Sequence, residues 1–115
     1  MSRFFLGAET ARIDFPDGEF VDVKEELTQA DQDYVLNQMA HAEAVGNKAQ
    51  VSMSLGRLAL LERAIVAWSF HDDAGQSVSV TKENISSLRL KYRSKILEEV
   101  NRLNESALQF VIKND

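Results

Sequence analysis

The chain opens on alternation. In "ARIDF" (11–15) Ile13 and Phe15 fall on one side, and in "EFVDVK" (19–24) Val21 and Val23 do, with Phe20 on the opposite side. A period of two argues for half-buried strands. "PDG" stands between them. Proline presets φ and glycine permits a positive φ, so the segment 13–27 is predicted to be a β-hairpin.

The period then changes. "LTQADQDYVLNQMAHAEAV" places Tyr34, Val35, Met39 and Ala42 on one helical stripe. Thr28 is the expected N-cap and Asp31 the N3 acid that favours the helix's positive end, with Gly46-Asn47 as the stop. In "KAQVSMSL" Val51, Met53 and Leu55 alternate with serines. That favours a third strand over 48–55, ended by Gly56, with a helix as the open alternative. "RLALLERAIVAWSF" reads as a helix from Leu58 to Phe70, its stripe of Leu58, Leu61, Ile65 and Trp68 widened by Leu60, Ala64, Val66 and Ala67. A face so wide suits a central core helix or a partner surface. Thr81 is the next expected N-cap, with Glu83 in the first turn. Ile85, Leu88, Tyr92, Ile96, Val100, Leu103 and Ala107 follow at helical spacing, as one helix or as two with a bend near Arg89–Lys91. The expected class is α+β, mainly α: an N-terminal β-hairpin with a third strand at 48–55, then a helical bundle with a long amphipathic C-terminal region. The length of 115 residues suits a single domain. Within it, 1–12 reads as an arm, 13–27 as the hairpin and 28–115 as mainly helical. "LQFVIKND" at the end reads as a tail that docks on the core or stays free.

Charge and composition narrow the classes. The net charge is −5, and residues 1–50 carry ten acids against four bases. An acidic front half argues against nucleic acid as the main partner. No apolar run approaches the roughly 18 residues that read as a membrane span. The first fifteen residues show neither the apolar core nor the cleavage pattern of a signal peptide. Without cysteine there is no disulfide, thiol nucleophile or thiolate metal site.

Candidate chemistry is sparse. Counting from Asp72, Glu83 is twelfth, as in a calcium loop, but the third, fifth and sixth positions are Ala74, Gln76 and Ser77. An EF-hand needs oxygen ligands at the first two and glycine at the last. The stretch reads instead as a turn, in which Asp73 and Gly75 are architectural, as Asp17 and Gly18 are in the hairpin. His41 and His71 lack the HxxxH or HExxH spacing of metal sites. Ser52, Ser54, Ser77 and Ser79 read as polar faces of strands. No nucleophile, base or phosphate-binding motif is visible, so no enzyme, cofactor or metal is expected. "RLKYRSK" (89–95) is a basic cluster around Tyr92 that could touch phosphates, or the solvated face of the last helix. Trp68 is either core or an interface anchor.

The order of segments resembles the tail assembly chaperones of long-tailed bacteriophages. "DGEFVDVKEELT" (Asp17–Thr28) is similar to their early dG-x-[WF]-V-x-V-[KR]-x-x-L segment. "AIVAWSFHDDAGQSVSVTKENISSL" (Ala64–Leu88) is similar to their aliphatic-Trp helix end, Asp/Gly turn and Thr-led helix, and "ILEEVNRLNE" (Ile96–Glu105) to their final helical region. The resemblance implies a non-catalytic oligomer in the host bacterial cytoplasm, absent from the mature virion. It would keep the tape measure protein soluble and recruit tail tube protein subunits, with neither nucleic acid nor membrane as partner. On that expectation Leu58, Leu61, Ile65 and Trp68 form the partner-binding groove. The rival expectations are a neck, connector or tube component of the virion, and a small nucleic-acid-binding regulator.

Overall fold

The computed structural model describes residues 8–46 and 48–104. Expectations about the first seven residues, Asn47, Ala107 and the "LQFVIKND" tail lie outside the described residues. The described residues form an α+β fold in the order β1 (Thr10–Asp14), β2 (Phe20–Lys24), α1 (Gln29–Ala44), α2 (Ala49–Ala64), β3 (Ile65–Trp68), α3 (Lys82–Ser86) and α4 (Leu90–Leu103). The sheet is antiparallel with order β1-β2-β3.

The hairpin forms as expected, except that β1 begins at Thr10, so residues 10–12 are strand and not arm. Ile13 faces Val21 and Ala11 faces Val23. The turn closes through the Phe15 carbonyl, which accepts from the Gly18 amide, while Asp17 Oδ1 accepts from the Glu19 amide. Gly18 takes φ +89°. On the outer face Arg12 forms an ion pair with Asp22 and lies over the Phe20 ring.

Helix α1 starts at the predicted cap. The Asp31 amide donates to Thr28 Oγ1 and the Thr28 amide to Asp31 Oδ2, a reciprocal capping box. Gly46, just past the helix, takes φ +92°.

Two expectations for the middle of the chain are corrected. Residues 49–55 are helix, not strand, and Gly56 lies inside α2 instead of ending a segment. The alternation of Val51, Met53 and Leu55 is not the buried pattern. Ser52, Gly56, Ala59, Leu60 and Ala64 are buried, at helical spacing. Their small side chains let α2 approach α1 closely. Ser52 Oγ donates to the Met39 carbonyl at 3.2 Å, and a Cβ on Gly56 would come within 2.7 Å of Met39 Sδ. The segment is also rich in Ala, Leu, Met and Gln, which favour helix.

The helix expected to run to Phe70 ends at Ala64, and Ile65–Trp68 is the third strand. Ile65 and Val66 are β-branched and Trp68 is aromatic, a composition that suits a pleated surface. The open edge of β2 supplies the ladder. Val23 pairs with Ile65 and Asp22 with Ala67, leaving Val66 as the extra residue of a bulge, half exposed.

The C-terminal region resolves into two helices. Thr81 Oγ1 accepts from the Asn84 amide and caps α3, and the chain bends at Ser87–Arg89 before α4. The core lies between the inner sheet face (Ile13, Val21, Val23, Ile65) and Val35, Leu60, Ile85, Ile96 and Val100 of the helices.

Candidate partner-binding site

Three features outside the core could carry function: a buried carboxylate, an aromatic cluster and an open groove. The carboxylate is Asp31. It is fully buried, and its oxygens accept from Lys24 Nζ at 2.9 and 3.0 Å and from Arg63 Nε at 2.8 Å. Burial pushes its pKa up, but Lys24, the Thr28 amide and Arg63 outweigh that and hold it at about 2. Every acceptor is thus aimed at a partner from β2, the α1 cap or α2, which is the arrangement of a structural tie.

The aromatic cluster joins the hairpin turn to α4. Tyr92 packs edge-on against Phe15 at 5.0 Å and against Phe70 at 5.1 Å, and Trp68 lies 5.2 Å from Phe70. The Tyr92 hydroxyl donates to Asp17, which lowers the aspartate's pKa and raises the phenol's. Glu19 accepts from Ser69 Oγ at 2.9 Å, and His71 Nδ1 stands 3.8 Å from the same carboxylate oxygen. The Tyr92 ring is therefore committed to the hairpin instead of being offered as a stacking platform within the 89–95 cluster. In that cluster Arg93 Nε donates to the Leu88 carbonyl.

The Asp/Gly loop is a tight turn. Phe70 O accepts from the Val78 amide, and Asp72 O from the Gly75 amide. Gly75 takes φ +80°. The organising carboxylate is Asp72, whose Oδ1 accepts from the Ala74 and Gln76 amides, while Asp73 is simply exposed. An aspartate at the start of a turn can bond the amides two and four residues on; its neighbour cannot. Among the described residues no group of three or more His, Cys, Asp or Glu is placed to hold a metal ion, and no helix is long and apolar enough to cross a membrane.

The groove runs between α2 and the α3–α4 pair and encloses about 720 Å³. Leu55 and Leu58 line its α2 wall, Leu90 and Leu97 its α4 wall, and Arg93 and Glu98 add charge. Leu90 is 67% exposed. Of the four residues expected to form a partner groove, Leu58 lines this one and is half-buried. Leu61 borders its floor but is 2% exposed, and Ile65 is a core residue at 6%. Trp68 belongs elsewhere: on β3, with its indole N–H donating to the Val78 carbonyl at 2.6 Å. The four do not share a face because the helix ends at Ala64, and the strand that follows turns Ile65 and Trp68 toward the sheet's inner side. Leu55, Leu90 and Leu97 escaped sequence reasoning. For α4 the signal was present as a second apolar line, Leu90 and Leu97 at a spacing of seven; Leu97 is also a core residue, 8% exposed, so only the Leu90 end of that line is open. Comparison with known proteins returns no matching family model, no matching curated protein and no matching solved structure.

Proposed function

We propose that this protein is a non-catalytic tail assembly chaperone of a long-tailed bacteriophage, which holds an amphipathic helix of the tape measure protein in the α2/α4 groove. The observation that carries this reading is the groove itself: Leu90 two-thirds exposed on one helix faces half-buried Leu55 and Leu58 on another, over the buried core residues Leu61 and Leu97. Single exposed leucines are ordinary, but several lining one concavity mark a surface for a partner. A groove between helices is the usual seat for the apolar face of another helix. The segment order from Asp17 to Glu105 supplies the identity of the client, by resemblance. The acidic front half keeps such a protein in solution while its groove waits. Recruitment of tail tube subunits and self-assembly belong to the same reading.

The test is co-expression with the long helical protein encoded nearby, followed by size-exclusion chromatography with light scattering. The expected result is a soluble co-eluting complex, with the long protein insoluble alone. If the long protein is soluble alone and the two never co-elute, the reading is wrong, and recovery of this chain from purified particles would then assign it to the virion structure.

A further inference from the structure

We infer that the outer edge of β1 pairs antiparallel with the same edge of a second copy, joining the two three-stranded sheets into one. The backbone register carries the first step. The Glu25 amide donates to the Glu9 carbonyl, and the Phe15 amide to the Glu19 carbonyl. With Ala11 opposite Val23 and Ile13 opposite Val21, the odd-numbered residues turn their N–H and C=O groups toward β2. Those of Thr10, Arg12 and Asp14 point the other way, and among the described residues no strand lies on that side. Such an edge is a template for another strand.

Charge selects the partner and the register. Thr10, Arg12 and Asp14 stand exposed on the outer face, while Ala11, Ile13 and Phe15 lie on the core side. A two-fold axis normal to the sheet keeps the helices of both copies on one side and closes the assembly at a dimer. The open groups then require even residues to meet even residues. Centred on Arg12, the pairing opposes Arg12 to Arg12 of the second copy, a repulsive contact. Centred on Ala11, it opposes Arg12 to Thr10 and forms no ion pair. Centred on Ile13, it opposes Arg12 to Asp14 of the second copy, and symmetry repeats the pair. Each pair exchanges both of its backbone hydrogen bonds. On the core side Ile13 meets Ile13, and Ala11 meets Phe15. Arg12 already pairs with Asp22 across the hairpin, so the outer face alternates in sign from Asp22 to Arg12 to the second copy's Asp14. Edge charges usually ward off pairing. Here their spacing makes them self-complementary.

No β1 residue lines the α2/α4 groove, so the pairing leaves both grooves open. It gives a place to the self-assembly of the reading above, yet it is measured on the protein alone. Sedimentation velocity on the full chain, from micromolar to millimolar, is expected to show a monomer–dimer equilibrium. Asp14→Lys, at an exposed position, sets a lysine against Arg12 at both pairs. It should raise the dissociation constant of the dimer about tenfold and leave the melting temperature of the monomer unchanged. In the parent chain, hydrogen exchange at the Arg12 and Asp14 amides should slow as concentration rises. A chain that stays monomeric throughout, or a dimer that Asp14→Lys leaves intact, would overturn the assignment. A monomer leaves client capture to its own experiment, and failure of co-expression leaves the edge pairing standing.

Discussion

Asp31 is a residue whose sequence role was too small for what it does. As N3 of α1 it completes the capping box, yet the same carboxylate also receives Lys24 and Arg63. Its folded pKa of about 2 lies below the ordinary 3.8. A depressed carboxylate adds stability that is full above the unfolded value and disappears as pH falls through the folded one. The window is therefore pH 4 down to 2, and the contribution is about 2 kcal/mol by the pKa–energy relation. Asp31→Asn should lower unfolding free energy at pH 7 by roughly 2–4 kcal/mol, since it leaves Lys24 and Arg63 without their shared carboxylate. It should also flatten the stability curve between pH 4 and 2. Urea denaturation at pH 7 and across that window measures both; an unchanged acid slope would separate Asp31 from the acid transition. Thr28 and Asp31 were legible because capping is local chemistry. The two cations were not, because Arg63 arrives from 32 residues away and Lys24, though only seven residues away, belongs to β2, so its approach depends on how the hairpin packs on α1.

At the scale of elements, α2 is decided by its small face. Gly56 is in ordinary helical conformation, so its size, not its φ, is what matters. Gly56→Ala gains about 1 kcal/mol in helix propensity. Against that, the new methyl overlaps Met39 Cγ at 2.8 Å and Sδ at 2.7 Å. Overpacking of this kind costs about 1–3 kcal/mol, so the substitution is expected to destabilise by about 1 kcal/mol net. In a Met39→Ala background, which removes both atoms, the same change should stabilise. A double-mutant cycle by chemical denaturation reads the coupling. Additivity would mean that the helices do not meet at Gly56. This contact also explains the misread period. Serine, glycine and alanine carry little hydrophobic signal, so the conspicuous Val51, Met53 and Leu55 suggested a strand, although Val51 is 43% exposed.

For the whole molecule, the proposed client site is tested at the groove itself. Leu90→Asp, at an exposed position, should weaken capture of the client helix about tenfold, an affinity difference near 1.4 kcal/mol, and leave the melting temperature unchanged. Pull-down of the co-expressed long protein checks this, and equal capture by both chains would place the client on another surface. Trp68 lies outside this groove, with its ring against Phe70 and its N–H donating to the Val78 carbonyl.

The hairpin and its turn, the caps at Thr28 and Thr81, the turn at Asp72–Gly75 and the α+β class were legible in the sequence alone. Each depends on residues within a few positions of one another, where steric and hydrogen-bonding preferences act directly. Tertiary contacts settled that 49–55 is helix, that Ile65–Trp68 leaves α2 to become β3, that the C-terminal region is two helices, and that Leu58 lies across a groove from Leu90 and Leu97. Those outcomes depend on the open edge of β2 and on the close approach of α1. Both are supplied by parts of the chain far away in sequence, and the burial and ladder hydrogen bonds they offer outweigh local periodicity.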